Sequence, residues 1–161
     1  MPFVSCRSSA SSKATPRFIF DAVRGSGKVN FSSPSIRAMA KLLIVEDDES
    51  VRTLAARALE RAGHVIDIAA DGAQGLALIR AASGGYDLVL SDIRMPEMDG
   101  IEMAKTSAAL FPAMKIMLMT GYADQRERAE ELNGIIRDVV QKPFTLAEIR
   151  ARVEQALACF A

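Results

Sequence analysis

Tryptophan is absent from this chain, histidine occurs once, at His64, and only two cysteines are present, Cys6 and Cys159. One histidine and two distant thiols offer no spacing for a zinc site or a disulfide. Inert thiols of this kind suit a reducing compartment, so the expected location is the cytoplasm. No apolar run is long enough to span a bilayer, so no membrane segment is expected. Net charge is missing too, with 20 Lys/Arg against 20 Asp/Glu. The balance hides an asymmetry. Residues 1–38 carry six bases (Arg7, Lys13, Arg17, Arg24, Lys28, Arg37) against Asp21, which leaves 14 bases and 19 acids to residues 39–161. So acidic a body argues against direct binding of nucleic acid.

What is present divides at Met39. Residues 1–38 are basic, serine-rich and without sustained periodicity, the composition of a disordered extension. A targeting peptide has this composition, and so does a flexible arm for acidic partners. The favoured expectation is that Met39 is the true start and 1–38 an upstream start-site artefact.

From Lys41 onward two periods alternate. Strand-length apolar runs stand at KLLIV (41–45), VIDIA (65–69), YDLVLS (86–91), MKIMLMT (114–120) and IIRDVVQ (135–141). Between them lie helical stripes. The first is Val51, Leu54, Ala55, Ala58, Leu59 and Ala62, stopped by Gly63; the second is DGAQGLALIRAA (71–82). Ile101, Ala104, Ala108 and Phe111 form the third, and Leu146, Ile149, Val153, Ala156 and Phe160 the last. The segment 123–134 is almost wholly polar, with Ala129 and Leu132 its larger apolar contacts, and predicts a loosely held helix. Five βα units imply an α/β, doubly wound, five-stranded parallel sheet, with residues 39–161 as one domain.

Ligands of such sheets bind beyond the carboxyl ends of the strands. Glu46, Asp47 and Asp48 follow the first strand, Asp92 the third, Thr120 ends the fourth and Lys142 follows the fifth. Carboxylates crowded into one crevice repel unless a cation joins them. An oxygen-only donor set favours Mg²⁺. Asp92 is then a candidate nucleophile for a phosphoryl group. The metal would be held by Asp47 and Asp92, with Glu46 acting mostly through water and the Arg94 carbonyl as a third protein ligand. Lys142 and the Thr120 hydroxyl would bind phosphoryl oxygens. Gly100 permits a tight turn, and Pro96 stiffens the loop. His64 reads as a turn residue, Asp48 and Glu49 as surface residues opening a helix, and Met103, Met114, Met117 and Met119 as core.

The motifs LIVEDD, LSDIRMPEMDG, LMTG and QKPF, in this order and spacing, resemble the receiver domain of bacterial response regulators. The resemblance covers Met39 to about Leu157. It implies the flavodoxin-like (βα)5 fold of CheY with strand order 2-1-3-4-5 and a phosphoaspartate at Asp92. It further implies Mg²⁺ at Glu46, Asp47 and Asp92, signalling roles for Thr120 and Lys142, and a cis Lys142–Pro143 bond. Many receivers carry a switch aromatic three residues before the lysine. Here that position is Val139, and Tyr122 is the nearest aromatic substitute. Haloacid-dehalogenase-type phosphatases share the aspartate nucleophile, but they need a second acid where Arg94 stands, so no enzyme beyond slow self-dephosphorylation is expected.

Nineteen residues follow Lys142 in the chain of 161, room for one helix. The signal is therefore expected to leave by protein contact, through the fourth helix, fifth strand and fifth helix. A histidine kinase or histidine phosphotransfer protein is the expected donor. The output is open between a phosphorelay shuttle, a diffusible messenger that binds a kinase or motor, and a proteolysis adaptor. RALERAGH, DIRMPEMDGIEMA, FPAMKIMLMTGYA and QKPF resemble the CpdR type of single-domain regulator and favour the adaptor. That resemblance implies a resting form that primes the ClpXP protease and a phosphorylated form that does not.

The composition break at Met39 is directly testable. A chain of residues 39–161 should match the full chain in melting temperature and Mg²⁺ affinity. A loss of several degrees would show that residues 1–38 contribute to the fold.

Overall fold

A computed structural model of the chain describes residues 39–122, 127–129 and 132–158. Its strands are β1 (Lys41–Val45), β2 (Val65–Ala69), β3 (Leu88–Asp92), β4 (Lys115–Thr120) and β5 (Asp138–Gln141), and its named helices are α1 (Glu49–Glu60), α2 (Gly72–Ala81), α3 (Gly100–Leu110) and α4 (Leu146–Ala158). All pairings are parallel and the order is β2-β1-β3-β4-β5. This is the doubly wound architecture expected from the alternating periods.

Burial on both faces explains why the central strands β1, β3 and β4 read as continuous apolar runs. Leu43, Val45, Val89, Ile116 and Leu118 face one side, where Leu76 and Ile79 of α2 and Ile101 and Met103 of α3 cover them. Leu42, Ile44, Leu90, Met117 and Met119 face the other, against Ala55 and Leu59 of α1 and Ile149 and Val153 of α4. The four expected core methionines are buried. Each helix begins on a side-chain cap. Asp48, Asp71 and Asp99 accept from N–H groups in the first turns of α1, α2 and α3. Thr145 and Glu148 cap α4 reciprocally, with Glu148 N–H donating to Thr145 Oγ1 at 3.2 Å and Thr145 N–H to Glu148 Oε2 at 2.6 Å.

Several boundaries differ from expectation. β3 starts at Leu88 and takes in Asp92 as its last residue. Tyr86 is still buried, because its hydroxyl donates to Asp67 at 2.7 Å while its ring packs in the core. β5 begins at Asp138, since residues 132–137 form turns with an isolated Asn133–Ile136 bridge. Leu54, placed in the apolar stripe of α1, is 47% exposed, as the buried face is built from Ala55, Ala56, Ala58 and Leu59. His64 lies at the turn yet is buried, its Nδ1 accepting from Ala40 N–H at 3.3 Å. Half of the polar helix expected over 123–134 (123–126, 130 and 131) falls outside the described residues; Glu127–Ala129 are helical, and Ala129 and Leu132 are buried. Phe160 and both cysteines also lie outside them.

β2 is an edge strand. Val65 and Ile68 are about half exposed on it, and between them Asp67 takes the Tyr86 hydroxyl and pairs with Lys41 at 3.3 Å. The Tyr86 bond, helped by Lys41, holds the Asp67 carboxyl below its usual range.

The β3–α3 connection is closed by backbone contact. Gly100 N–H donates to the Ile93 carbonyl at 2.9 Å, and a Cβ at position 100 would collide with the Asp92 carbonyl oxygen. Among the described residues, no atom lies within 4 Å of where a Cβ at Gly121 would stand. Gly100→Ala should therefore cost about 2 kcal/mol or more in urea unfolding, and Gly121→Ala well under 1 kcal/mol. Equal costs for the two would remove the backbone clash as the cause.

Candidate functional site

The carboxyl ends of β1, β3, β4 and β5 bring four separate motifs to one place. Glu46 leaves β1 still in the ladder, its N–H donating to the Ala69 carbonyl at 3.1 Å. Its side chain is turned inward and is 1% exposed. Asp47 follows and faces solvent. Asp92 ends β3 opposite Met119 of β4 and is buried. One oxygen from each of Glu46, Asp47 and Asp92 lies within 4.8 Å of the others. With no thiol or imidazole among the donors, this cluster fits a hard divalent cation that prefers oxygen.

Lys142 sits between two of these acids. Its Nζ is 2.6 Å from Glu46 Oε2 and 3.1 Å from Asp92 Oδ1. The backbone delivers it there, since Lys142 N–H donates to the Thr120 carbonyl at 2.7 Å. The Lys142–Pro143 bond that follows is cis, as the resemblance implied. Burial pushes the carboxyls of Glu46 and Asp92 above their usual range, and the Lys142 ammonium only partly offsets it. For Lys142 burial works downward, but Glu46 and Asp92 outweigh it, so the ammonium is held more firmly than usual. The cluster thus keeps two reluctant anions around one fixed cation. It can accept further positive charge, and it can offer Asp92 as an acceptor beside a cationic group.

Thr120 ends β4 next to this cluster. Its Oγ1 donates to the Tyr122 carbonyl at 3.0 Å and accepts from Tyr122 N–H at 3.1 Å. The Tyr122 ring is exposed and lies under the Arg94 guanidinium, with Cζ 5.2 Å from the ring centroid. The β3–α3 and post-β4 loops are thereby joined through side chains. Val139 is half-buried and packs against the cluster that includes Ala129 and Leu132. Asp48 belongs to the α1 cap, accepting from Ser50 and Val51 N–H at 2.8 and 3.0 Å.

Two contributors escaped the sequence. Ser91 is fully buried, and its Oγ donates to the Asp92 carbonyl at 2.9 Å. Nothing in a strand-embedded serine signals that bond. Arg52 donates through Nη1 to the carbonyls of Glu46 at 2.7 Å and Asp47 at 3.3 Å. Here there was a signal, because a cation in the opening turn of a helix opposes the dipole and asks for a local anion or carbonyl.

The family model described as "Response regulator receiver domain" matches residues 42–154. The chain is 35% identical over 119 residues to the response regulator receiver protein CpdR of Brucella abortus, covering 74% of this chain and 98% of that protein. It is likewise 35% identical over 117 residues to the transcriptional regulatory protein CusR of Escherichia coli strain K12, but that match covers 73% of this chain and spans only 51% of CusR. Among solved structures, the response regulator TrrA of Thermotoga maritima in complex with Mg²⁺ and BeF is 32% identical, with a TM-score of 0.65 over 73% of this chain and 99% of that one.

The strained charges give opposite expectations for two substitutions. A carboxyl raised on folding contributes stability in acid that is lost as pH rises through its folded pKa, so ionised Asp92 is a cost at neutral pH. Asp92→Asn should raise stability at pH 7 by about 1 kcal/mol, a gain that vanishes toward pH 4. Lys142→Met strands both acids and should cost about 3 kcal/mol at pH 7, less at pH 4. Thermal melts at the two pH values check both signs.

Proposed function

The chain belongs to the response regulator receiver domain family, and on that premise we propose that it is a stand-alone phosphorelay regulator, phosphorylated on Asp92, that acts as an adaptor of the ClpXP protease. The observation that carries the phosphorylation step is the Lys142 ammonium held by both Glu46 and Asp92, with Asp47 beside them. An Asp92 oxygen attacks the phosphorus of a phosphohistidine on a kinase or phosphotransfer protein. The P–N bond breaks, the imidazole leaves with its electron pair, and an acyl phosphate remains on Asp92. Lys142 then has a phosphoryl oxygen to pair with in place of the free Asp92 carboxylate. Glu46, Asp47, Asp92 and the Arg94 carbonyl would hold Mg²⁺, which supplies charge neutralisation for the transferring group.

The adaptor role rests on the match to CpdR, which spans nearly the whole of that protein, whereas the matched part of CusR is about half of it. The unmodified form presents the surface that ClpX binds, and the phosphorylated form withdraws it. Thr120 starts the change. A hydroxyl has one proton to donate, and in the resting state it goes to the Tyr122 carbonyl. Donation to the phosphoryl group breaks that bond, frees the post-β4 backbone, and disturbs the Arg94–Tyr122 stack. No ring is needed at Val139 for such a movement. A few kcal/mol of differential stability suffice to exchange the two populations.

With Mg²⁺ and a small phosphodonor, the wild-type protein should form one acid-labile adduct that Asp92→Asn lacks. Immobilised ClpX should retain the unmodified protein and Asp92→Ala, and release the wild type under phosphorylating conditions. Equal labelling of wild type and Asp92→Asn would move the acceptor elsewhere. Indifference of ClpX to both states would leave a phosphorelay shuttle as the better assignment.

A further inference from the structure

The two acids that leave β1 do not hold their own geometry. Glu46 and Asp47 are consecutive, yet Glu46 points into the crevice and Asp47 stays in solvent, while their carboxylates must converge with Asp92 to within 4.8 Å. That opposed display requires a fixed turn between them. The Glu46 N–H is tied to the Ala69 carbonyl, and Asp48 N–H reaches Glu46 Oε1 at 3.4 Å. The carbonyls of Glu46 and Asp47 are tied by Arg52 alone among the described side-chain bonds.

We propose that Arg52 is the positioning residue of the cation site: its guanidinium, anchored one turn into α1, clamps the two carbonyls and so fixes the direction of both carboxylates. The geometry supports this in three ways. The 2.7 Å bond to Glu46 is short for an N–H···O contact, as a charged donor makes it. Both bonds come from one nitrogen, so a single rotamer sets both carbonyls. Arg52 N–H also donates to the Asp48 carbonyl at 2.9 Å, which locks the backbone that carries the clamp to the same loop. Outer partners that orient ligands commonly change metal affinity by about 10–100-fold.

The inference rests on the Mg²⁺ site of the proposed function, so the experiment separates the two. Mg²⁺ titration calorimetry on the full chain tests the site itself; absence of binding by the wild type would overturn that site and the role of Arg52 with it. If the wild type binds, Arg52→Met should weaken Mg²⁺ by about tenfold, and Arg52→Lys, which keeps a charged donor on a shorter arm, should recover part of the loss. Arg57→Met removes an equal charge from an exposed position on the same helix and should change the affinity less than about twofold, within the small effect of a screened surface charge. Circular dichroism melts without Mg²⁺ accompany each variant. Unchanged affinity in Arg52→Met would overturn the clamp. So would a loss equalled by Arg57→Met, or one that Arg52→Lys does not relieve and that follows loss of the folded signal.

Discussion

Everything at the carboxyl edge of the sheet depends on one ammonium group shared by two buried acids. Glu46 and Asp92 would repel at their separation, and burial raises the cost of ionising either. Lys142 makes the arrangement tolerable without making it comfortable. The remaining scaffold holds the three groups where relaxation would separate them. β5 is pinned to Thr120, β3 is closed against Gly100, and the exit of β1 is held by Arg52. A site organised this way carries an electrostatic demand that further positive charge would relieve.

The sequence disclosed this site because chemistry-bearing residues sit at strand ends, where topology leaves them little freedom. Asp92, Thr120 and Lys142 could be assigned once the strands were recognised, and apolar runs buried on both sides are hard to mistake. Less was legible where several side chains compete for one task. Leu54 lost the buried face of α1 to alanines, which allow closer packing but carry a weaker hydrophobic signal. The start of β5 was misplaced because Ile135 and Ile136 are half-buried in turns and look like strand. Tyr86 read as the first strand residue, when it is buried ahead of β3 by ring packing in the core and a hydroxyl bond to Asp67 of β2. Side chain to backbone bonds such as those of Ser91 and Arg52 depend on three-dimensional turns and leave almost no periodic trace.

Tyr122 occupies a different position in this account. It is joined to the acceptor region twice, by backbone bonds to Thr120 and by its ring to Arg94. The first connection runs to the hydroxyl that ends β4, and the second to the residue two places after Asp92. A receiver with a rotating ring on β5 can report through the far side of the sheet. Under the proposed function, with Val139 there instead, the report would start at the loop that leaves β4, on the rim of the site itself.

The edge strand β2 has no part in that chemistry, yet it bears on how the protein behaves in a crowded solution. Among the described residues its outer backbone has no ladder partner, and the half-exposed Val65 and Ile68 flank it. Asp67 interrupts that edge with a charge it cannot easily lose, since Tyr86 and Lys41 hold its carboxyl in the ionised form. An incoming strand would have to strip water from a pinned anion before gaining a single ladder bond. The bond that keeps a buried tyrosine hydroxyl satisfied therefore also keeps a charge on the edge strand, the kind of residue that disfavours edge-to-edge pairing.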